Sequence, residues 1–194
     1  MPLKLVTPPE TEPLTLDEVK AHLRVTSTAE DALIAGYFAA ALAAIDGKSG
    51  FTGMAVIEQT WDWKIDSFPC DGKPLKFPLA PLKSVTSITY VGDDGSDVTL
   101  STDIYSVDPD SLPGRINLKY GQVWPSARCQ ANAVTVRAVC GYENAAAVPE
   151  PIKSALKLYT GHLYNNREAT AAQKLEQIPM GIWFLLSPYA VVEF

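Results

Sequence analysis

The sequence predicts an α+β protein: a helical bundle core interrupted by a β-rich insertion, with an extended C-terminal tail. Apolar residues recur at helical spacing within residues 1–54 and again within residues 143–194. Between them, apolar and polar residues alternate with the period of two that is typical of a half-buried strand. We therefore expect residues 55–142 to form the insertion, and residues 1–54 and 143–194 to form one helical unit.

Composition excludes several classes of protein. The chain has 194 residues, 47% of them hydrophobic, which is enough for a real core. Its formal net charge is −6 and no segment is basic, so we expect DNA contact to be weak, non-specific and transient. No apolar run is long enough to span a bilayer and no signal peptide is visible, so we expect a soluble protein without membrane contact.

The first part of the chain predicts two helices after an extended, proline-rich segment over residues 1–14. Thr15 and Glu18 form a capping box that begins a short helix. Thr28 is expected to cap a second helix, which Gly47 stops. Its predicted apolar stripe consists of Leu33, Ile34, Tyr37, Phe38, Ala41, Leu42 and Ile45. Small residues let helices approach closely, so we place a subunit interface at Ala39 and Ala43.

The pattern in the middle of the chain predicts a series of short strands. Trp61 and Trp63 alternate with polar residues on the first of these strands, and we expect both indoles to lie in the core. The sequence from Gly92 to Gly95 predicts a hairpin turn. The other predicted strands span residues 85–91, 98–100, 105–107, 115–118 and 133–140.

Helical spacing returns at Pro149, which suits a helix start. The buried face of this helix is expected to contain Ile152, Ala155, Leu156, Tyr159 and Leu163. Residues 166–178 are polar and are expected to be flexible. A short helical turn over residues 182–186 and an apolar tail follow, which either pack on their own domain or dock on another protein. We expect partner binding by Trp183, Phe184, Tyr189, Val191, Val192 and Phe194.

No catalytic or metal-binding constellation is recognisable. The two histidines lie far apart, and the three cysteines, Cys70, Cys129 and Cys140, match no ligand spacing. We expect all three to be buried free thiols. The sequence Gly47-Lys48-Ser49 lacks the earlier glycine of a phosphate loop. We therefore expect no enzymatic activity, no metal and no cofactor.

Several short motifs follow one another in a specific order. They occupy residues 13–25 (PLTLDEVKAHLRV), 30–34, 59–62, 81–88 (PLKSVTSI), 113–116 (PGRI), 124–125, 148–153 (VPEPIK), 162–169 (HLYNNREA) and 185–189 (LLSPY). In order and spacing they resemble the head–tail connector (adaptor) family of tailed phages, over nearly the whole chain. The chain departs from the family at Ala190, where members often carry Arg, so a basic contact at that point is not implied.

The resemblance implies a ring of subunits, commonly twelve, seated under the portal protein of the capsid. Such a ring extends the DNA channel and offers a platform for the next tail component, a stopper or a tail terminator. It implies a structural protein of the virion head–tail junction, assembled in the bacterial host cytoplasm, in a phage, prophage or gene-transfer agent. The C-terminal segment of relatives reaches the portal. Asn166 and Arg167, within one matched motif, are expected at the subunit interface.

One alternative function stays open from the residues alone. A non-catalytic β-rich module on a helical stalk, binding a carbohydrate or a protein, would have the same layout and the same acidic composition.

Overall fold

The computed structural model of the chain describes residues 2–48, 50–166 and 180–191. It has the α+β character that the sequence predicts, and the chain divides into two units. The β unit comprises Glu58–Tyr142 together with the residues up to Glu10. The helical unit comprises Thr11–Ile57 together with the residues from Glu143 onward.

The β unit contains two antiparallel sheets. Their strands are β1 (Leu3–Thr7), β2 (Gln59–Ile65), β3 (Leu75–Lys76), β4 (Leu82–Val91), β5 (Asp97–Thr99), β6 (Tyr105–Asp108), β7 (Arg115–Leu118) and β8 (Val134–Cys140). The five-stranded sheet has the order β1-β2-β8-β4-β5 and the three-stranded sheet has the order β3-β7-β6. A short 3-10 turn spans Cys70–Gly72.

Strand β1 corrects the prediction for the start of the chain. The sequence predicts a helical part over residues 1–54, but Leu3–Thr7 pairs antiparallel with β2 at the edge of the large sheet. Four of its five residues are exposed, because an edge strand that covers little core needs no apolar alternation. Periodicity therefore gives no signal for this strand.

One face of the five-stranded sheet forms the core of the β unit. Trp61 and Trp63 are buried on β2, which confirms the prediction for both indoles. The Trp63 ring meets Phe77 edge-on, with the ring centroids 5.7 Å apart. Val136 and Ala138 on β8 lie beside the two tryptophans and are fully buried.

The prediction of three buried cysteines is correct only for Cys140. Burial raises the pKa of the Cys140 thiol to about 12. Cys70 and Cys129 are exposed, since one lies in the 3-10 turn and the other in the long loop before β8, where no core covers them. All three are free thiols.

These exposures predict the thiol chemistry of the native protein. A thiol-specific aromatic disulfide should react quickly with Cys70 and Cys129, and with Cys140 only after unfolding, because attack requires an accessible thiolate. The measurement is the number of thiols titrated with and without denaturant. Rapid reaction of a third thiol in the native protein would contradict the burial of Cys140.

The described residues of the helical unit form four helices, α1 (Leu16–Leu23), α2 (Asp31–Ile45), α3 (Glu150–Asn165) and α4 (Met180–Leu186). The predicted capping box begins α1: the Glu18 N–H donates to the Thr15 hydroxyl, and the Thr15 N–H donates to the Glu18 carboxylate. Those bonds from Thr15 hold the pKa of Glu18 below its ordinary value. The prediction that Thr28 caps α2 is wrong, because α2 begins at Asp31 with Glu30 at the N-cap.

Polar contacts join the helices at their ends. Lys20 of α1 forms a salt bridge of 2.6 Å with Asp31 at the start of α2. The Tyr164 hydroxyl in the last turn of α3 donates to the Glu30 carboxylate at 2.5 Å. The ring of Tyr164 also meets Tyr37 edge-on, at a centroid distance of 6.5 Å. These contacts fix the start of α2 against both neighbouring helices.

Candidate partner-binding surfaces

The C-terminal segment packs on its own helical unit through one side. Ile182 and Leu186, four residues apart on α4, are fully buried, and Ala190 after the helix is also buried. The Val191 N–H donates to the Thr52 carbonyl at 2.8 Å, which holds the end of the segment. The sequence left two alternatives for this segment: packing on its own domain or docking on another protein. Ile182, Leu186 and Ala190 pack on their own unit, so only the remaining residues of the segment are available to a partner.

The other side of α4 carries exposed aromatic surface. Trp183 is 42% exposed and Phe184 is 68% exposed. The Trp183 ring lies against Phe51, with centroids 6.1 Å apart, so its indole is held in place by its own unit. Trp183 and Phe184 are neighbouring aromatic residues on an anchored helix, and such residues are suited to binding an apolar pocket of a partner.

The remaining residues predicted for this site lie at its edge or beyond the described chain. Tyr189 and Val191 are half-buried, and the Tyr189 N–H donates to the Leu186 carbonyl in the turn after α4. Val192 and Phe194 lie outside the described residues, as do Arg167 and almost all of the predicted flexible stretch 166–178.

Helix α2 exposes a face of small residues on the helical unit. Its buried side consists of Ile34, Phe38, Ala41 and Ile45, spaced three or four residues apart. Leu33, predicted within the apolar stripe, is instead 38% exposed, because it lies about 100° around the helix from Ile34. The exposed positions of α2 are Ala32, Leu33, Ala35, Gly36, Ala39, Ala40 and Ala43.

Asn166 has a structural role within its own chain. It follows α3 as the C-cap residue, and its side-chain amide donates to the His162 carbonyl at 2.8 Å. The Asn166 backbone N–H donates to the same carbonyl at 3.1 Å, so this residue closes the end of α3 with both its backbone and its side chain. Any contact of Asn166 with a neighbouring subunit would have to use the remaining exposed part of the side chain.

The second face of the five-stranded sheet carries a charged cluster that no pattern in the sequence indicates. Arg137 on β8 donates two hydrogen bonds to Asp62 on β2, at 2.7 Å and 2.8 Å. The Arg137 guanidinium, with smaller contributions from Lys64 and Lys4, holds the pKa of Asp62 below its ordinary value. The three basic residues are distant in sequence and meet only through the pairing of β1, β2 and β8.

The Asp62–Arg137 pair should contribute measurably to stability. We expect Asp62→Asn to lower the free energy of unfolding by about 1–3 kcal/mol, because a charge-assisted bond is lost on a side chain that is 11% exposed. The lowered pKa means that this contribution is present above the pKa of the unfolded state. It is lost as the pH falls through the folded-state pKa.

The measurement is urea denaturation of both proteins from neutral to acidic pH, where their midpoints should converge. The matched control is Asp93→Asn on the exposed hairpin, which should stay within about 0.5 kcal/mol of the wild type. If the difference in urea midpoint between the wild type and Asp62→Asn became larger as the pH falls, the stabilising role assigned to the Asp62–Arg137 pair would be wrong.

The described part of the chain shows no group of three or more His, Cys, Asp or Glu side chains placed to bind a metal ion. Within the same residues, none of the helices has both the length and the apolar character needed to cross a membrane.

Comparison with known proteins gives a consistent result. The chain is similar to a chain in the virion of a native gene transfer agent (GTA) particle, with 26% identity and a TM-score of 0.80. It is similar to a chain in the neck of an empty GTA particle computed with C6 symmetry, with 26% identity and a TM-score of 0.79. A third similar chain, in the neck of a native GTA particle computed with C12 symmetry, has 25% identity and a TM-score of 0.77.

Each of these similarities covers 100% of this chain and 97% of the other. No curated protein matches the chain. The family model described as phage gp6-like head-tail connector protein matches residues 13–71, which include α1, α2 and β2. The family match over residues 13–71 and the full-length similarity to neck chains thus agree, and together they support a structural connector function at the head–tail junction of a virion.

Proposed function

We propose that the chain forms a ring, of twelve copies in the particle, between the portal protein and the next tail component. The ring would extend the DNA channel and give the stopper or tail terminator a platform. The neck structures with C6 and C12 symmetry support an oligomeric ring of such chains. The alternative of a non-catalytic binding module on a helical stalk has no comparable support.

The observation that carries the proposed portal contact is the exposed aromatic pair on α4. Ile182 and Leu186 anchor this helix on its own unit, so Trp183 and Phe184 face outward from an anchored backbone, and the Phe51 ring also supports Trp183. Binding such a pair, whose backbone is already held, costs little conformational entropy. We propose that Trp183 and Phe184 enter an apolar pocket of the portal, and that the predicted contacts of Tyr189, Val191, Val192 and Phe194 continue that interface.

The proposed ring contacts use the exposed face of α2. Ala39 and Ala43 lie four residues apart on that face, and apart from Leu33 in the first turn its exposed positions carry only alanine or glycine, so a neighbouring backbone can approach closely. We propose that this face packs against an adjacent subunit, with Asn166 and Arg167 at the border of the same interface.

We further propose that the ring has no catalytic activity and binds no cofactor. The family and the similar neck chains are structural components of virions. DNA would pass through the ring without tight binding, because the net charge of −6 opposes lasting contact with phosphates.

The experiment is a binding titration of the purified chain against the portal protein of the same particle. We expect Trp183→Ala/Phe184→Ala to weaken binding by about 30-fold or more, as loss of a central aromatic pair does at other interfaces. The matched control is Tyr120→Ala/Val123→Ala, which removes two exposed apolar side chains from the β unit and should leave portal binding unchanged.

Because Trp183 also contacts Phe51, Phe184→Ala alone provides a variant with little risk to folding. Portal binding that is unchanged in both α4 variants, with the fold intact by circular dichroism, would exclude this surface as the portal contact.

A further inference from the structure

One face of the five-stranded sheet carries opposite charges at its two edges. The strand register places Lys4, Asp62, Arg137 and Ser87 in one row across β1, β2, β8 and β4. The next row contains Lys64, Thr135, Thr89 and Thr99 across β2, β8, β4 and β5. Side chains in these rows share the face opposite the buried tryptophans, because successive residues of a strand point to opposite sides.

The β1–β2 edge of this face is basic. Lys4 and Lys64 contribute two positive charges, and the negative charge of Asp62 is bonded to Arg137 on the neighbouring central strand β8. Among the described residues, neither Lys4 nor Lys64 takes part in a salt bridge. Within these two rows, the edge therefore has an excess of two positive charges.

The β4–β5 edge is acidic. Asp93 and Asp94 are exposed in the hairpin between β4 and β5, and Asp97 is exposed at the start of β5. Arg128 offsets one of these charges because its guanidinium lies against the hairpin. A Cβ atom added at Gly95 would be 2.7 Å from a guanidinium nitrogen of Arg128. The hairpin and the start of β5 therefore keep an excess of negative charge.

Asp97 lies on the same face of the sheet as the basic residues. It is two residues before Thr99 on β5, with Val98 between them on the other side of the strand. Thr99 belongs to the row that contains Lys64, so the carboxylate of Asp97 shares the face of that row. The acidic edge and the basic edge are thus the two ends of one surface.

A closed ring requires two different, complementary surfaces on every subunit. In a cyclic assembly each copy uses one surface to contact the copy before it and another to contact the copy after it. The two edges of this sheet are four strand spacings apart, about 19 Å at about 4.8 Å per spacing. Their opposite excess charges provide the complementarity that such a contact needs.

We infer that, in the ring, the basic β1–β2 edge of one β unit binds the acidic β4–β5 hairpin of the next copy. This inference rests on the proposed ring and names a second interface in it, separate from α2. Leu5 and Val6, each 40% exposed on β1, add apolar surface at the same edge. In the described chain, β1 and β5 each have a strand neighbour on one side only, so both edges are open to a neighbouring subunit.

The test uses charge reversal and mixing of the full-length chain. Lys4→Glu/Lys64→Glu makes both edges acidic, and Asp93→Lys/Asp97→Lys makes both edges basic. Each variant alone should self-associate about tenfold more weakly than the wild type at low salt, because two like-charged edges now meet. An equimolar mixture of the two variants should regain association, since a contact between the reversed edges again joins opposite charges.

The measurement is sedimentation equilibrium from micromolar to millimolar protein, at low and at physiological salt. The matched control is Lys73→Glu/Lys76→Glu, which makes the same charge change at two exposed lysines away from this edge. It should leave self-association unchanged. Circular dichroism of each variant checks that the fold is retained.

Three results in solution would overturn the inference. The first is a wild-type protein that stays monomeric at millimolar concentration and low salt. The second is a mixture of the two variants that associates no more strongly than either variant alone. The third is binding of duplex DNA by the wild-type protein that Lys4→Glu/Lys64→Glu abolishes, while the same substitutions leave self-association unchanged. A ring that assembles on the portal from either charge-reversal variant alone would overturn this contact and leave the proposed connector function standing.

Discussion

Gly50→Ala is expected to destabilise the helical unit by about 3 kcal/mol or more. A Cβ atom at this position would lie 2.1 Å from the Ile45 carbonyl oxygen and 2.4 Å from the Ile45 carbonyl carbon. Those atoms belong to the backbone at the end of α2, so no side-chain rotation can relieve the overlap. The Ile45 carbonyl also accepts a hydrogen bond from the buried Thr52 hydroxyl at 2.8 Å, which would be distorted with it.

The effect should extend to the aromatic pair on α4. The segment after Gly50 supplies Phe51, which contacts Trp183, and Thr52, whose carbonyl accepts from Val191. Displacing this segment removes support from the C-terminal residues. We therefore expect Gly50→Ala to weaken portal binding as well as stability, although Gly50 itself is not part of the proposed contact.

The matched control is Gly36→Ala on α2, where an added Cβ meets nothing within 4 Å. Alanine at that position should raise the free energy of unfolding by about 0.5–1 kcal/mol, because glycine is a poor helix former. Urea denaturation followed by helical circular dichroism measures both variants. Equal stability of Gly50→Ala and the wild type would show that the chain after α2 does not lie as described.

Ala39→Glu/Ala43→Glu should abolish ring formation while the monomer stays folded. Both positions are exposed on α2, and a pair of charged side chains would prevent close approach of a neighbouring subunit. The cost to the monomer should be below about 1 kcal/mol, from helix propensity and from like charges four residues apart. The measurements are native mass spectrometry of the assembly on the portal and thermal unfolding of the isolated chain.

The control variant is Ser154→Glu/Leu158→Glu on α3, which also adds two carboxylates at exposed positions four residues apart. It should leave the ring intact. Loss of the ring in both double variants would mean that added negative charge, not the α2 face, is responsible. A large loss of monomer stability in the α2 variant would assign that face to the core of its own unit.

Periodicity in the sequence predicted most of the elements because each signal was local. The capping box of Thr15 and Glu18, the alternation around Trp61 and Trp63, and the helix starting after Pro149 all depend on neighbours within a few residues. The same local reasoning failed at the start of α2, where an acidic residue rather than the preceding hydroxyl residue occupies the N-cap. There the favoured residue type was present, but the helix began two residues later than its preference indicates.

The surfaces were harder to predict because they depend on pairing between distant residues. Lys4 and Arg137 share a row only because β1 and β8 both pair with β2, and no pattern within either strand indicates that register. Likewise, the sequence could identify an apolar C-terminal segment but not separate Ile182, which is buried, from Phe184, which is exposed. That separation depends on which side of a two-turn helix faces the rest of its unit.

The placement of β1 also determines how the two units are connected. The chain leaves the β unit after Glu10, returns to it at Glu58 and leaves it again after Tyr142, so three covalent connections join the two units. A cut in any one of these three segments would therefore leave the two units joined by the other two. For the same reason the β unit cannot be excised as one continuous fragment, and trimming the first ten residues would remove an edge from the large sheet instead of a dispensable extension.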